Sequence, residues 1–171
     1  MRIAKILLLG EIGVGKTSIA RRLVFDQFDG EYKATIGTDI YRYEVVPSPV
    51  DGPFHFVVWD SDGNFGDSIF RHVYARQADA AIIIGDVNRL ATLDAVARLG
   101  DGFIEAFPGR PVIYVINKLD LLQAGHSPNL PNALAHADIP IVMTSAKTGH
   151  HVKDAFHQAA TVIARRSPYG R

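Results

Sequence analysis

Five apolar, mostly β-branched runs punctuate the chain: Ile3 to Leu9, Phe54 to Asp60, Ala80 to Asp86, Val112 to Asn117 and Ile139 to Thr144. Such runs suit strands buried on both faces, as in a parallel sheet. Helix-like stretches separate them, at Lys16 to Phe25, Ser68 to Gln77, Ala91 to Ala106, Pro131 to His136 and Val152 to Arg165. This alternation predicts a doubly wound α/β sheet. One run differs. Asp39 to Val46 alternates apolar and polar residues and is followed by the turn-rich PSPVDGP, which predicts an antiparallel hairpin at a sheet edge. Ligands of such sheets bind at the carboxyl ends of the strands, so the loops after Leu9, Asp60, Asn117 and Thr144 are the ones to read.

The first of these loops, GEIGVGKTS, matches G-x-x-x-x-G-K-[ST] through Gly10, Gly15, Lys16 and Thr17. Glycines let the backbone curl so that the N–H groups of Glu11, Ile12, Gly13, Val14, Gly15 and Ser18 face phosphate oxygens. Lys16 then reaches the β- and γ-phosphates and the Thr17 hydroxyl ligates Mg²⁺. The following helix turns its positive end to the same anion.

The composition narrows the class further. A chain of 171 residues, 47% hydrophobic and 21% charged, suits one soluble domain, residues 1–171. Lys and Arg (18) balance Asp and Glu (18), so bulk charge gives no reason to expect a nucleic-acid partner. With no cysteine, disulfides, thiol catalysis, Cys-ligated zinc and a direct lipid anchor on sulfur are all excluded. MRIAKILLLG is too short to span a membrane, and a cytoplasmic location is expected. Seven histidines fall in no ligand spacing and read as surface residues.

The two later loops read a base. A carboxylate can accept from both N1–H and N2–H₂ of guanine, a donor pair adenine lacks. Asp120, in Asn117-Lys118-Leu119-Asp120, is the candidate. In Thr144-Ser145-Ala146-Lys147, the Ala146 N–H would donate to guanine O6, and the stems of Lys118 and Lys147 would cover the ring faces.

In this order the motifs resemble a small GTPase of the Ras superfamily from end to end, and TIGTDI with the spacing from Trp59 to Asp86 resembles its Rab branch. The resemblance implies a P-loop NTPase fold (a G domain) with a six-stranded, mostly parallel sheet, one antiparallel edge strand and about five helices. It implies that Phe28 stacks on guanine and that Thr35 joins Thr17 and Asp60 around Mg²⁺. Gly63 would meet the γ-phosphate. The expected function is a GTP/GDP switch with Mg²⁺-dependent hydrolysis. Effector, exchange-factor and activating proteins would dock through residues 30–40 and 60–76 of a mainly monomeric protein. The cysteine-free chain ending in RRSPYGR leans toward a prokaryotic member.

The residues WDSDGNF, 59 to 65, depart from the family pattern. Asn64 stands where Gln usually orients the attacking water, and is shorter by about 1.5 Å of reach. Asp62 adds a second carboxylate near the phosphates, and Phe65 replaces an acidic neighbour. Phe65, Phe70 and Tyr74 beside Trp59 suit either a partner surface or burial under the switch helix. Ile12 would crowd an incoming arginine, an element worth roughly 10³ to 10⁵ in rate. With Asn64, Lys16 and Thr35 as the hydrolytic residues, turnover is expected to be slow. The alternative is a pseudo-GTPase that binds guanine nucleotide without hydrolysing it. An ATP-using P-loop kinase is argued against by Asp120.

Overall fold

The computed structural model describes residues 2–31, 33, 35–47, 52–61, 63, 75–135 and 138–166. In chain order the elements are β1 (Arg2–Leu9), α1 (Lys16–Phe25), β2 (Thr38–Val45), β3 (Phe54–Ser61), β4 (Ala80–Asp86), α2 (Leu90–Ala106), β5 (Val112–Asn117), α3 (Asn132–Ala135), β6 (Ile141–Met143) and α4 (Val152–Arg166). The six strands form one sheet in the order β2-β3-β1-β4-β5-β6. Only β2 runs antiparallel to its neighbour, pairing Thr38 with Ser61 through Val45 with Phe54. The remaining pairs are parallel. Four α-helices lie among the described residues. Of the helix expected over 68–77, only the 3₁₀ turn Ala75–Gln77 falls within them. Asp62, Asn64, Phe65, Phe70 and Tyr74 lie outside the described residues.

The strand residues explain the layering. All seven residues of β4, AAIIIGD, are buried, as a strand covered on both faces requires. Successive side chains of a strand point to opposite faces. Ile6 and Leu8 therefore join one core with Phe56, Ile82, Ile84 and Val115, roofed by α1 and α4. Leu7 and Leu9 join the other with Ile83, Tyr114 and Ile116, roofed by α2. Each fully buried Ile or Leu contributes roughly 1.5–3 kcal/mol. On α4 the buried residues Val152, Ala155, Phe156, Ala159 and Ala160 recur at helical spacing. Gly100, inside α2, leaves room for Tyr114: a Cβ there would collide with the Tyr114 hydroxyl. The edge strand β2 keeps Tyr41, Tyr43 and Val45 inward while Arg42 and Glu44 face solvent.

Strand order reverses at β1. From there β3 lies to one side and β4 to the other, and the crevice beyond the carboxyl end of such a central strand is where doubly wound sheets bind ligands. The glycine-rich loop begins there.

Candidate nucleotide site

The loop from Gly10 to Gly15 needs its glycines. Gly10, Gly13 and Gly15 have φ of 144°, 76° and 103°, where a side chain is strained. A Cβ on Gly15 would also collide with the Asn117 amide, and one on Gly10 with the Ile84 carbonyl. Donors from other elements hold the loop's carbonyls from outside. Arg89 Nη1 donates to Ile12 O at 2.9 Å, Lys118 Nζ to Gly13 O at 2.7 Å and Asn117 Nδ2 to Val14 O at 3.0 Å. Lys16 is buried, with Nζ donating to Gly10 O at 2.9 Å and Glu11 O at 3.1 Å.

The loops after β5 and β6 form one network. Asn117 Oδ1 accepts from the Thr144 hydroxyl at 3.0 Å and from the Ala146 N–H at 3.1 Å. Ser145 Oγ donates to Asp120 Oδ1 at 2.6 Å and accepts from Thr148 N–H at 3.2 Å. Asn117, Thr144 and Ser145 are buried, whereas Asp120 is exposed at the tip. Lys118 has a left-handed backbone (φ 67°), and its ammonium pairs with buried Asp86 at 2.7 Å. Arg22 braces the far side, donating to Ala146 O at 2.8 Å and Lys147 O at 2.5 Å.

On the other side of the loop, oxygen ligands converge. Thr17 Oγ1 donates to Asp60 Oδ2 at 2.5 Å and lies 2.6 Å from Thr35 Oγ1. Asp60 Oδ1 is buried and has no hydrogen-bond partner among the described residues. Burial pushes the Asp60 carboxyl up to about 6, against the Thr17 hydroxyl and the Lys16 charge, which favour its ionised form. Two hydroxyls and a carboxylate with one oxygen unpartnered among the described residues are a hard-oxygen set of the kind Mg²⁺ takes, so these residues fit that ion. Gly63 lies against the loop: a Cβ on it would come within 2.7 Å of Ile12 N.

These pieces bound a cleft of about 510 Å³. Of the residues expected from sequence, Ile12, Gly13, Gly15, Lys16, Thr17, Ser18, Phe28, Thr35, Gly63, Asn117, Lys118, Asp120, Ala146 and Lys147 line it. Val14 instead sits fully buried in the core beneath, and Ser145 acts on the cleft through Asp120. Glu11 turns its carboxylate to Arg98, 3.7 Å away. The cleft also holds Arg21, Asp29 and Lys33, and Asp29 and Lys33 pair at 3.3 Å. Sequence reasoning missed Asp86, Arg89 and Arg22 as supports, since their partners lie 32, 77 and 124 residues away along the chain. Trp59, which begins the aromatic cluster expected to form either a partner surface or a buried patch, lies with its ring 3.6 Å beneath the Lys5 ammonium. His150 and His151 stack ring on ring, 3.8 Å between centroids.

A sheet whose central strand runs into a glycine loop walled by these side chains defines a P-loop nucleotide-binding domain. The chain belongs to the Ras family, whose model matches residues 5–165, and it is a Rab-like small GTPase of the Ras superfamily. It is 33% identical over 165 residues to the Ypt/Rab-type GTPase ypt7 of Schizosaccharomyces pombe, covering 91% of this chain and 80% of that one. With the Ras-related protein Rab7 of Pisum sativum it shares 33% over 167 residues, again 91% and 80% of the two chains. The Rab7 of Cenchrus ciliaris is 34% identical over 163 residues, 89% of this chain and 78% of that relative. Among the described residues no helix is long and apolar enough to cross a membrane.

Proposed function

We propose that residues 1–171 form a single GTPase domain that switches between GTP- and GDP-bound forms, binds its nucleotide with Mg²⁺ and hydrolyses GTP slowly. The observation that carries this reading is the convergence of Thr17, Thr35 and Asp60 beside the phosphate loop, with one Asp60 oxygen buried and unpartnered among the described residues. Mg²⁺ bound there would neutralise charge on the β- and γ-phosphates. Lys16 holds those phosphates together with the inward N–H groups of the loop. Asp120, steadied by Ser145, accepts from guanine N1–H and N2–H₂. The Ala146 N–H serves guanine O6 as a second acceptor beside Asn117 Oδ1. Phe28 and the stems of Lys118 and Lys147 cover the ring. Gly63, close to Ile12, brings its N–H to the γ-phosphate, so that loss of that phosphate releases the segment.

Hydrolysis with water as nucleophile is a matter of positioning and charge stabilisation. Two features support a slow rate. Asn64 is about 1.5 Å shorter than the Gln that orients water in relatives. Ile12, 44% exposed, adds a branched side chain that would crowd an incoming arginine. Effector, exchange and activating proteins engage residues 30–40 and 60–76, a surface that includes the exposed Ile36 and Ile40.

Single-turnover hydrolysis of pre-bound GTP with Mg²⁺, wild type beside Asn64→Gln, tests the reading. Slow turnover that the Gln variant accelerates is the expected result. Tight GTP binding with no turnover in either protein would instead make this a non-hydrolysing guanine-nucleotide module.

A further inference from the structure

Three consecutive carbonyls of the phosphate loop are each held by a donor from outside it: Ile12 by Arg89, Gly13 by Lys118 and Val14 by Asn117. A trans peptide is planar, so its C=O and the next residue's N–H point in opposite directions. Fixing the carbonyls of 12, 13 and 14 outward therefore fixes the N–H groups of 13, 14 and 15 toward the cleft. Two of these donors belong to the base-reading Asn117-Lys118. The third comes from a separate element, and the motif reading has no place for it.

Arg89 is held where it can do this. It ends the turn between β4 and α2, where its N–H donates to Asp86 O at 3.0 Å. The buried Thr92 hydroxyl donates to Arg89 O at 2.7 Å and accepts from the Asp86 N–H at 2.9 Å. Asp86 also pairs with Lys118. One rigid turn thus governs the donors to both the Ile12 and the Gly13 carbonyls.

We propose that Arg89 is a positioning residue for phosphate binding and hydrolysis: by holding the Ile12 carbonyl it aims the Gly13 N–H at the nucleotide's phosphates. The inference rests on the GTPase reading above. Preorganised N–H donors stabilise charge that grows on the leaving phosphate, and deleting such a donor costs roughly 10²–10³ in rate. Here the donor remains and only its support is removed. The Arg89→Ala variant should hydrolyse GTP about tenfold more slowly in single turnover, with GDP affinity changed less than about threefold.

The test uses the full chain, with wild type, Arg89→Ala, Arg89→Lys and Arg98→Ala loaded with GDP, GTP or a non-hydrolysable GTP analogue. Hydrolysis rate, nucleotide dissociation rates, melting temperature and the ³¹P shift of the bound β-phosphate are measured. Arg89→Ala is expected to move the β-phosphorus signal and slow hydrolysis, and Arg89→Lys to restore part of both. Arg98→Ala, which removes a partner of the Glu11 side chain and no donor to the Ile12, Gly13 or Val14 carbonyl, is expected to move neither. An unshifted signal with an unchanged rate overturns the proposal. So does an Arg89→Ala protein that melts early and loses both nucleotides in parallel, which would make the residue scaffold alone. If wild type binds GTP without hydrolysing it while the β-phosphorus still moves in Arg89→Ala, the hydrolytic reading fails and the positioning role stands.

Discussion

The two walls of the cleft are built differently. On the base side, Asn117, Thr144, Ser145, Asp120 and Ala146 are tied to one another, and Arg22 and Lys118 tie them to α1 and the phosphate loop. Much of that network is buried, where satisfied hydrogen bonds reinforce one another and broken ones are costly. On the opposite side, among the described residues, the Thr35 hydroxyl meets that of Thr17, and Asp29 with Lys33 is an exposed pair. Ile36, next to Thr35, is 93% exposed. Folding alone builds the first wall, proposed to recognise guanine. Among the described residues the second wall, proposed to distinguish GTP from GDP, shows less of such bracing, which suits a conformation that ligand contacts decide.

Removing the hub of the rigid wall should have the largest effect. Asn117→Ala strips the donor from Val14 O and the acceptor from Thr144 and Ala146, leaving buried groups unsatisfied. A loss of about 3 kcal/mol in stability is expected, read by denaturant unfolding of the nucleotide-free protein. Unfolding within about 0.5 kcal/mol of wild type would mean that this wall is not prebuilt. Asp120→Asn leaves the wall standing but changes what it reads. GTP should bind about 10²-fold more weakly and xanthine nucleotides should gain, as competition binding would show. Unchanged GTP affinity would remove Asp120 from the base pocket. The smallest effect belongs to the other wall. Thr35→Ala should leave stability within about 0.5 kcal/mol and GDP release nearly unchanged, while GTP release quickens about tenfold. Equal acceleration of both nucleotides would erase the distinction between the two walls.

Local pattern made much of this legible. The runs at Ala80 to Asp86 and Val112 to Asn117 match β4 and β5 end to end, because a strand covered on both faces must be continuously apolar. The alternating edge run falls one residue from β2, since only one of its faces is buried. The last apolar run was less informative: Ile139 to Thr144 contracts to Ile141–Met143, with Pro140 unable to donate to a ladder. Of the helix expected over 131–136, Asn132–Ala135 is helical among the described residues. In the site, Lys118 was expected to cover the base with its stem, but its ammonium is also bound to Gly13 O and Asp86. Nothing local in N-K-L-D announces those bonds.

The amino-acid sequence by itself determined which loops line the cleft and which chemistry they offer. Glycine spacing, a Lys-Thr pair and a carboxylate after a buried strand are local requirements, readable within a few residues of each other. Tertiary structure alone decided how those loops are held. It placed Arg89 on Ile12, Arg22 on Ala146 and Thr17 between Thr35 and Asp60. An Arg or Thr can satisfy its hydrogen bonds with water wherever it falls in the chain. Which carbonyl or carboxylate replaces that water is decided only when the parallel strands bring distant loops to one end of the sheet.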